Sequence, residues 1–249
     1  MPHFFVNKKL ETGKEYALEE QDAKHIALVL RLKRGDAIAL SSGDGKTYAA
    51  LLTTVDKKQV VAFIEDERPA SPLKHLPSLA QAVVKHDRIE WIIQKAVELG
   101  TLHIFPFTSE RTIPKFAQSV DEKKNKRWNE IALAAAKQSG FPFKPTVHSI
   151  ASFSELFEAL PNTDNKLLLW EGEKQRDLKS YFSSPSYQQD KSSTLIIGPE
   201  GGFAEHEVNL AKKAGAVSLS LGHQILRVET ASLAALTLVQ FHTGNMSLT

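Results

Sequence analysis

The chain has 249 residues, 42% hydrophobic and 24% charged, with a formal net charge of +2. These are ordinary proportions for a soluble globular protein, and the length suffices for one large core or two modest ones. There is no cysteine, which excludes disulfides, thiolate metal sites and a cysteine nucleophile.

The start, Met1-Pro2-His3-Phe4-Phe5, lacks the charged-then-apolar pattern of a secretory signal. No stretch reaches the roughly 18 apolar residues of a membrane helix. The expectation is a soluble, cytoplasmic protein. The first 65 residues or so read mainly as β. Phe4-Phe5-Val6 opens a strand. Ile26, Val29 and Leu30 share one face of a short helix over Asp22–Arg31, with Glu20 or Asp22 as its cap and Gly35-Asp36 as its stop. Strands follow at Ala37–Leu40, Thr47–Val55 and Gln59–Ile64, the last two joined by a tight turn at Asp56-Lys57-Lys58. Short strands closed by turns suggest a small barrel. Glu65 to Pro77 carries Pro69, Pro72 and Pro77, which remove backbone donors and fix φ, so the domain boundary falls there.

Beyond it, strands alternate with helices. Strands are expected at Ser78–Val84, Leu102–Pro106, Lys166–Trp170, Thr194–Gly198 and Val217–Leu221. Helices are expected from Asp87, as cap, to Leu99 with Gly100 as stop, and over Asp121–Ser139, Glu205–Ala214 and Val228–His242. Alternation of this kind implies a parallel α/β sheet. The polar stretch between Thr163 and Ser193 reads as a surface loop.

Charge is unevenly distributed. Residues 1–70 hold 11 Lys or Arg and 11 Asp or Glu. From Arg111 to Lys144, eight basic residues face three acids (Asp121, Glu122, Glu130). Such a stripe either attracts phosphates or is a solvated helix face.

Four segments carry candidate chemistry. Leu195 to Phe203 runs an apolar strand into Gly198-Pro199-Glu200-Gly201-Gly202, and glycine there lets backbone groups touch a ligand at a strand's carboxyl end. No Lys-Ser or Lys-Thr follows, so this is not a phosphate loop, and GxGxxG is absent. The other reading is a plain strand-to-helix turn. Leu219 to Ala231 again ends a strand at glycine, Gly222, before a helix opening with Arg227 and Glu229, where a carboxylate suits the positive end. Arg227 and Glu229 alternatively pair with other groups to hold the loop. If the two strands are neighbours, the two loops enclose one ligand. Arg88 and Lys95, seven apart, share a helix face that is otherwise simply solvated. Ser109-Glu110-Arg111-Thr112 and the alanine-rich run to Gln138-Ser139-Gly140 complete the set; Arg111 and Gln138 have no evident core role. Nine histidines form no metal signature, so no metal is expected.

In this order, these segments resemble the ribosomal RNA small subunit methyltransferase E family of the SPOUT superfamily. The resemblance spans nearly the whole chain. It includes His25-Ile26-Ala27-Leu28-Val29-Leu30-Arg31, Gln94 to Gly100, Glu110-Arg111, Ala136 to Gly140, Ile197 to Phe203, and Leu221-Gly222 with Ile225 to Ala231. One departure is Phe141, where the family usually has a basic residue. The resemblance implies a PUA-like, small β-barrel, RNA-binding domain over 1–70, a linker over 71–77 and an α/β SPOUT methyltransferase domain with a trefoil knot over 78–249. It implies a homodimer that methylates N3 of one uridine in 16S ribosomal RNA, using S-adenosyl-L-methionine. The cofactor would lie against Leu169, Ile197, Gly198, Pro199, Glu200, Gly201, Gly202, Leu221, Gly222, Ile225, Leu226, Arg227, Thr230 and Ala231. Catalytic candidates are Arg227, Glu229 and Glu200. Arg227 or Arg111 would steady charge on the base, while Glu200, Glu229 or a residue of the second subunit would take its proton. RNA phosphates would meet Arg31, Lys33, Arg34, Lys85, Arg88 and Arg111. The alternatives are a related enzyme acting on transfer RNA or another ribosomal position, a non-catalytic assembly factor, and a doubly wound nucleotide-binding enzyme.

Overall fold

A computed structural model describes residues 1–56, 59–69, 73–112, 118–161 and 165–247. The chain divides into two compact units, Met1–Pro72 with Leu133–Lys144, and Leu73–Ala132 with Pro145–Thr249. The sequence reading leaves Leu133–Lys144 with the second domain. Local contacts explain why it joins the first unit. Ala135, Ala136 and Phe141 are buried there. Ser41 Oγ donates to the Pro142 carbonyl at 2.9 Å, and Lys137 Nζ meets Asp22 Oδ1 at 2.6 Å.

The first unit contains β1 (His3–Phe5), β2 (Glu15–Ala17), α1 (Glu20–Lys24), β3 (Ala37–Ser41), β4 (Tyr48–Val55) and β5 (Val60–Glu67). Their order is β1-β3-β4-β5-β2, with β1 parallel to β3 and the other pairs antiparallel. Among the described residues this path is open, not a closed ring. Burial alternates along β4 and β5, the signature of a sheet with one face on the core. Ile38, Leu40, Leu52 and Ile64 fill that face, and Ile26 closes it. The helix expected over Asp22–Arg31 is corrected in two respects. It starts earlier, after Glu19, with no side-chain cap, and passes at His25 into a π-helical turn ending at Leu30. Its stop is Arg31, held left-handed at φ 53°, not Gly35-Asp36. The short β2 was not foreseen, and Lys57 and Lys58 of the expected turn lie outside the described residues, as do Ala70–Pro72 of the linker.

The second unit contains β6 (Ser78–Ala82), α2 (His86–Glu98), β7 (His103–Thr108), β8 (Thr146–Val147), β9 (Ala151–Ser152), α4 (Phe153–Ala159), β10 (Asn165–Leu169), α5 (Leu178–Phe182), β11 (Ser193–Ile197), α6 (Glu205–Lys213), β12 (Val217–Leu219) and α7 (Val228–His242). The helix α3 (Gln118–Ser139) precedes β8 and supplies residues to both units. The sheet order is β12-β10-β11-β6-β7-β8, with β9 also on β7, and every pair is parallel. β6 and β11 are buried at every position, as expected of a parallel sheet covered on both faces. The apolar stripe of α2 (Ile89, Ile92, Ile93, Ala96, Val97) is fully buried. Its cap position is Lys85, not Asp87, which sits in the first turn. The stretch read as loop before Ser193 contains α5, capped by Asp177, whose side chain accepts from Ser180 N–H at 2.7 Å, and buries Leu178, Tyr181 and Tyr187.

Candidate active site

Parallel register decides the site. Leu169 of β10 lies level with Ile197 of β11 on one side and Leu219 of β12 on the other. The three strands therefore end together, and their loops leave from one edge of the sheet, where open α/β sheets bind ligands. The two glycine-ended strands were expected to be neighbours; β10 lies between them instead, because sheet order does not follow chain order.

The three loops enclose a cavity of about 600 Å³, well within the usual range for a small-molecule site. Of the residues expected to hold a ligand, Leu169, Ile197, Gly198, Pro199, Glu200, Gly201, Gly202, Leu221, Gly222, Ile225, Leu226, Arg227 and Ala231 all line it. Thr230 does not; it is exposed on the first turn of α7. Sequence reading missed Trp170, Glu171, Ser220, Gln224 and Val228. The only hint was position: Trp170-Glu171 follows β10 directly, and nothing in the sequence says that β10 sits between the other two.

Glycine is required locally for two different reasons. A Cβ on Gly198 would stand 3.0 Å from Cε2 of Phe203, a buried ring stacked at 6.3 Å on Phe107 in the core. Gly222 has open space around it but a φ of 115°, a conformation nearly closed to side-chain-bearing residues. Its N–H donates to Ser220 Oγ at 3.1 Å, and that hydroxyl returns a bond to its carbonyl at 3.1 Å. The first loop is held by Gly202 N–H on the Pro199 carbonyl at 2.9 Å. Arg111 reaches the same loop, its Nη1 donating to the Gly201 carbonyl at 2.9 Å. Glu207, buried on α6, accepts from Glu110 N–H at 3.0 Å and from Ala204 N–H at 2.9 Å. The segment Ser109–Thr112 thus braces the glycine loop.

The cavity has charges of both signs. Arg88 lines it and lies 3.4 Å from Glu200 and 3.9 Å from Glu229. Glu229, expected to be catalytic, is not among the residues that line the cavity; its Oε2 is buried without a hydrogen-bond partner. Arg227, at the N-terminal boundary of α7, is exposed and forms no ion pair among the described residues. Of the other expected RNA contacts, Arg31, Lys33, Arg34 and Lys85 are exposed. Within the basic stripe, Arg127 pairs with Glu90 at 2.7 Å and Lys137 with Asp22, while Lys115 lies outside the described residues. Phe141 is buried, 5.5 Å from the Phe143 ring, so it serves as core. Among the described residues no cluster of metal-ligating side chains occurs, and no helix is long and apolar enough to cross a membrane.

Residues 71–240 match the RNA methyltransferase domain family and residues 18–65 the RNA methyltransferase PUA domain family. Fold and site therefore define a two-part RNA methyltransferase. Ribosomal RNA small subunit methyltransferase E of Bacillus subtilis is 32% identical over 251 residues, covering 98% of this chain and 97% of that protein. The protein of that name from Mesomycoplasma hyopneumoniae is 34% identical over 237 residues, covering 95% and 98%. A crystal structure of a ribosomal RNA small subunit methyltransferase E from Neisseria gonorrhoeae, bound to S-adenosyl methionine, superposes with a TM-score of 0.85 at 33% identity, covering 97% of both chains. The chain belongs to the ribosomal RNA small subunit methyltransferase E family.

Proposed function

We propose that this chain transfers a methyl group from S-adenosylmethionine to N3 of one uridine in 16S ribosomal RNA. The cavity at the joined ends of β10, β11 and β12 carries the reading. Its wall fits the cofactor: Leu169, Ile197, Leu226 and Ala231 offer apolar surface for an adenine, the glycine loops offer backbone donors and acceptors, and Arg88, Arg227, Glu171 and Glu200 offer both charges for an amino-acid end. The bound cofactor supplies an electrophilic methyl on a sulfonium.

The residues of the chain have the harder task, because uracil N3 carries a proton and attacks poorly until it leaves. Arg88 reaches both candidate acceptors of that proton, Glu200 at 3.4 Å and Glu229 at 3.9 Å; Glu200 lines the cavity and Glu229 does not, which makes Glu200 our choice. Arg227, uncommitted at the cavity, steadies the negative charge that develops on the ring oxygens. Arg111 is occupied by Gly201 and acts through the loop. We further assign a SPOUT-type trefoil knot to the cofactor-binding region, a PUA-like half-barrel to the first unit, and RNA phosphates to Arg31, Lys33, Arg34 and Lys85. We place the enzyme in the cytoplasm as a homodimer. The outer side of α7, with Leu238 and Phe241 exposed at 46% and 74%, is apolar enough to pair with a second copy.

The test is methyl transfer by the purified protein to unmodified small subunits, with the product nucleoside identified by mass spectrometry and the oligomer by sedimentation. We expect 3-methyluridine in 16S RNA and a dimer. Methylation of transfer RNA instead, or no cofactor binding at all, would overturn the reading; a monomer would overturn the dimer.

A further inference from the structure

The first unit exposes three consecutive apolar side chains, Leu28, Val29 and Leu30, at 54%, 69% and 37%. Ile26 of the same turn is fully buried, so the turn is anchored on the core and still presents an apolar outside. Its backbone is unusual. It widens to a π-helix over His25–Leu30 and leaves through Arg31 at φ 53°. Both features are unfavourable without compensation, and both concentrate where a chain has work to do. Leu32 closes the tip, its N–H donating to the Ile26 carbonyl at 3.1 Å.

A cationic collar follows at once. Arg31, Lys33 and Arg34 are exposed, and none forms an ion pair among the described residues. Two carboxylates of this neighbourhood are paired with other cations, and two accept hydrogen bonds from neutral groups. Asp22 pairs with Lys137 and Glu20 with Lys24. Glu19 accepts from Asn7, and Asp36 Oδ2 accepts the backbone N–H of Lys33 at 2.7 Å. Asp36 offsets part of the charge, but three cations outside any ion pair leave a net positive collar beside the apolar tip, which repels a second copy of the same surface and complements a polyphosphate chain.

We propose that Leu28-Val29-Leu30 is a wedge that lies against unstacked bases of ribosomal RNA while Arg31, Lys33 and Arg34 hold the flanking phosphates. This rests on the RNA methyltransferase reading above and names the contact by which the first unit selects its RNA. An unstacked base exposes a flat, weakly polar face that apolar side chains cover well, whereas a regular duplex hides that face. The tip therefore favours loops and distorted helices over continuous duplex.

The test compares the wild type with the L28S/V29S double variant. Both positions are exposed, so the fold and the cofactor site should be untouched; melting temperature and S-adenosylmethionine affinity verify this. Binding to a 16S RNA transcript and to small subunits is measured at several salt concentrations. We expect affinity to fall about tenfold with an unchanged salt slope, and a Leu28→Met, Val29→Met variant to retain most of it. Wild-type RNA affinity in the serine variant would overturn the wedge. So would a changed sedimentation coefficient, because the tip would then join copies of the chain. Failure of the wild type to methylate any RNA would instead strike the underlying reading, and the direct binding comparison would still judge the wedge.

Discussion

Gly198 and Gly222 look alike in the sequence and differ in what they require. Gly222→Ala adds a methyl to open space but forces a side-chain residue to φ 115°, at roughly 1–3 kcal/mol of backbone strain. We expect the loop to relax out of shape, with S-adenosylmethionine affinity falling about tenfold or more and the melting temperature nearly unchanged. Gly198→Val instead drives into the buried Phe203 ring and should lower both affinity and melting temperature. Calorimetry and thermal melts on the two variants separate the cases; unaltered affinity in both would remove the glycine loops from the site. His3 makes a second residue-scale prediction. Burial, with the nearby charges of Lys137 and Arg68 adding to it, pulls its pKa from 6.5 to about 4. The folded state thus prefers the neutral ring. The stability associated with it is complete above pH 6.5 and is lost as pH falls from 6.5 towards 4, up to about 3 kcal/mol. Urea denaturation between pH 7.5 and 5 should show a shallower acid loss in His3→Phe than in the wild type.

Among the elements, α3 is the one whose sequence pattern left two readings open. Its basic residues fit a phosphate stripe or a solvated face, and near its C-terminus Lys137 does neither: it is committed to Asp22 and sits 5.6 Å over the Phe4 ring. Lys137→Ala would strand a carboxylate that is only 8% exposed, costing about 2 kcal/mol. Lys137→Met with Asp22→Asn should recover much of that, and chemical denaturation of the two variants checks it. α7, by contrast, spans Val228–His242 as its apolar pattern predicts. β2, β8, β9, α4 and α5 are between two and seven residues long. That is too short for a periodic pattern to declare itself, and they form because neighbouring strands and core contacts complete them.

For the whole molecule, net charge understates RNA binding, and a raw count of candidate cations overstates it. Six were expected at phosphates, but Arg88 faces Glu200 and Glu229, and Arg111 holds Gly201. Four remain uncommitted. With each phosphate contact on single-stranded RNA worth about 0.7 in the slope of log affinity against log salt, we expect a slope near −3. A titration of RNA binding from low to physiological salt measures it, and a slope near zero would remove these four residues from the interface.

The α/β class and the extent of the long elements were legible in the residues themselves, and thirteen of the cavity-lining residues came with the family resemblance. Glycine at a strand end, an apolar period and a family-like order of segments are all local or linear signals. What the linear pattern could not carry was adjacency. That β10 lies between β11 and β12, that Trp170 and Glu171 therefore face the cavity, that Arg111 and Arg88 are tied to its wall, and that Leu133–Lys144 belongs to the first unit all follow from which surfaces meet. Those meetings are chosen by burial and register across distant stretches of chain, which only the tertiary structure settles.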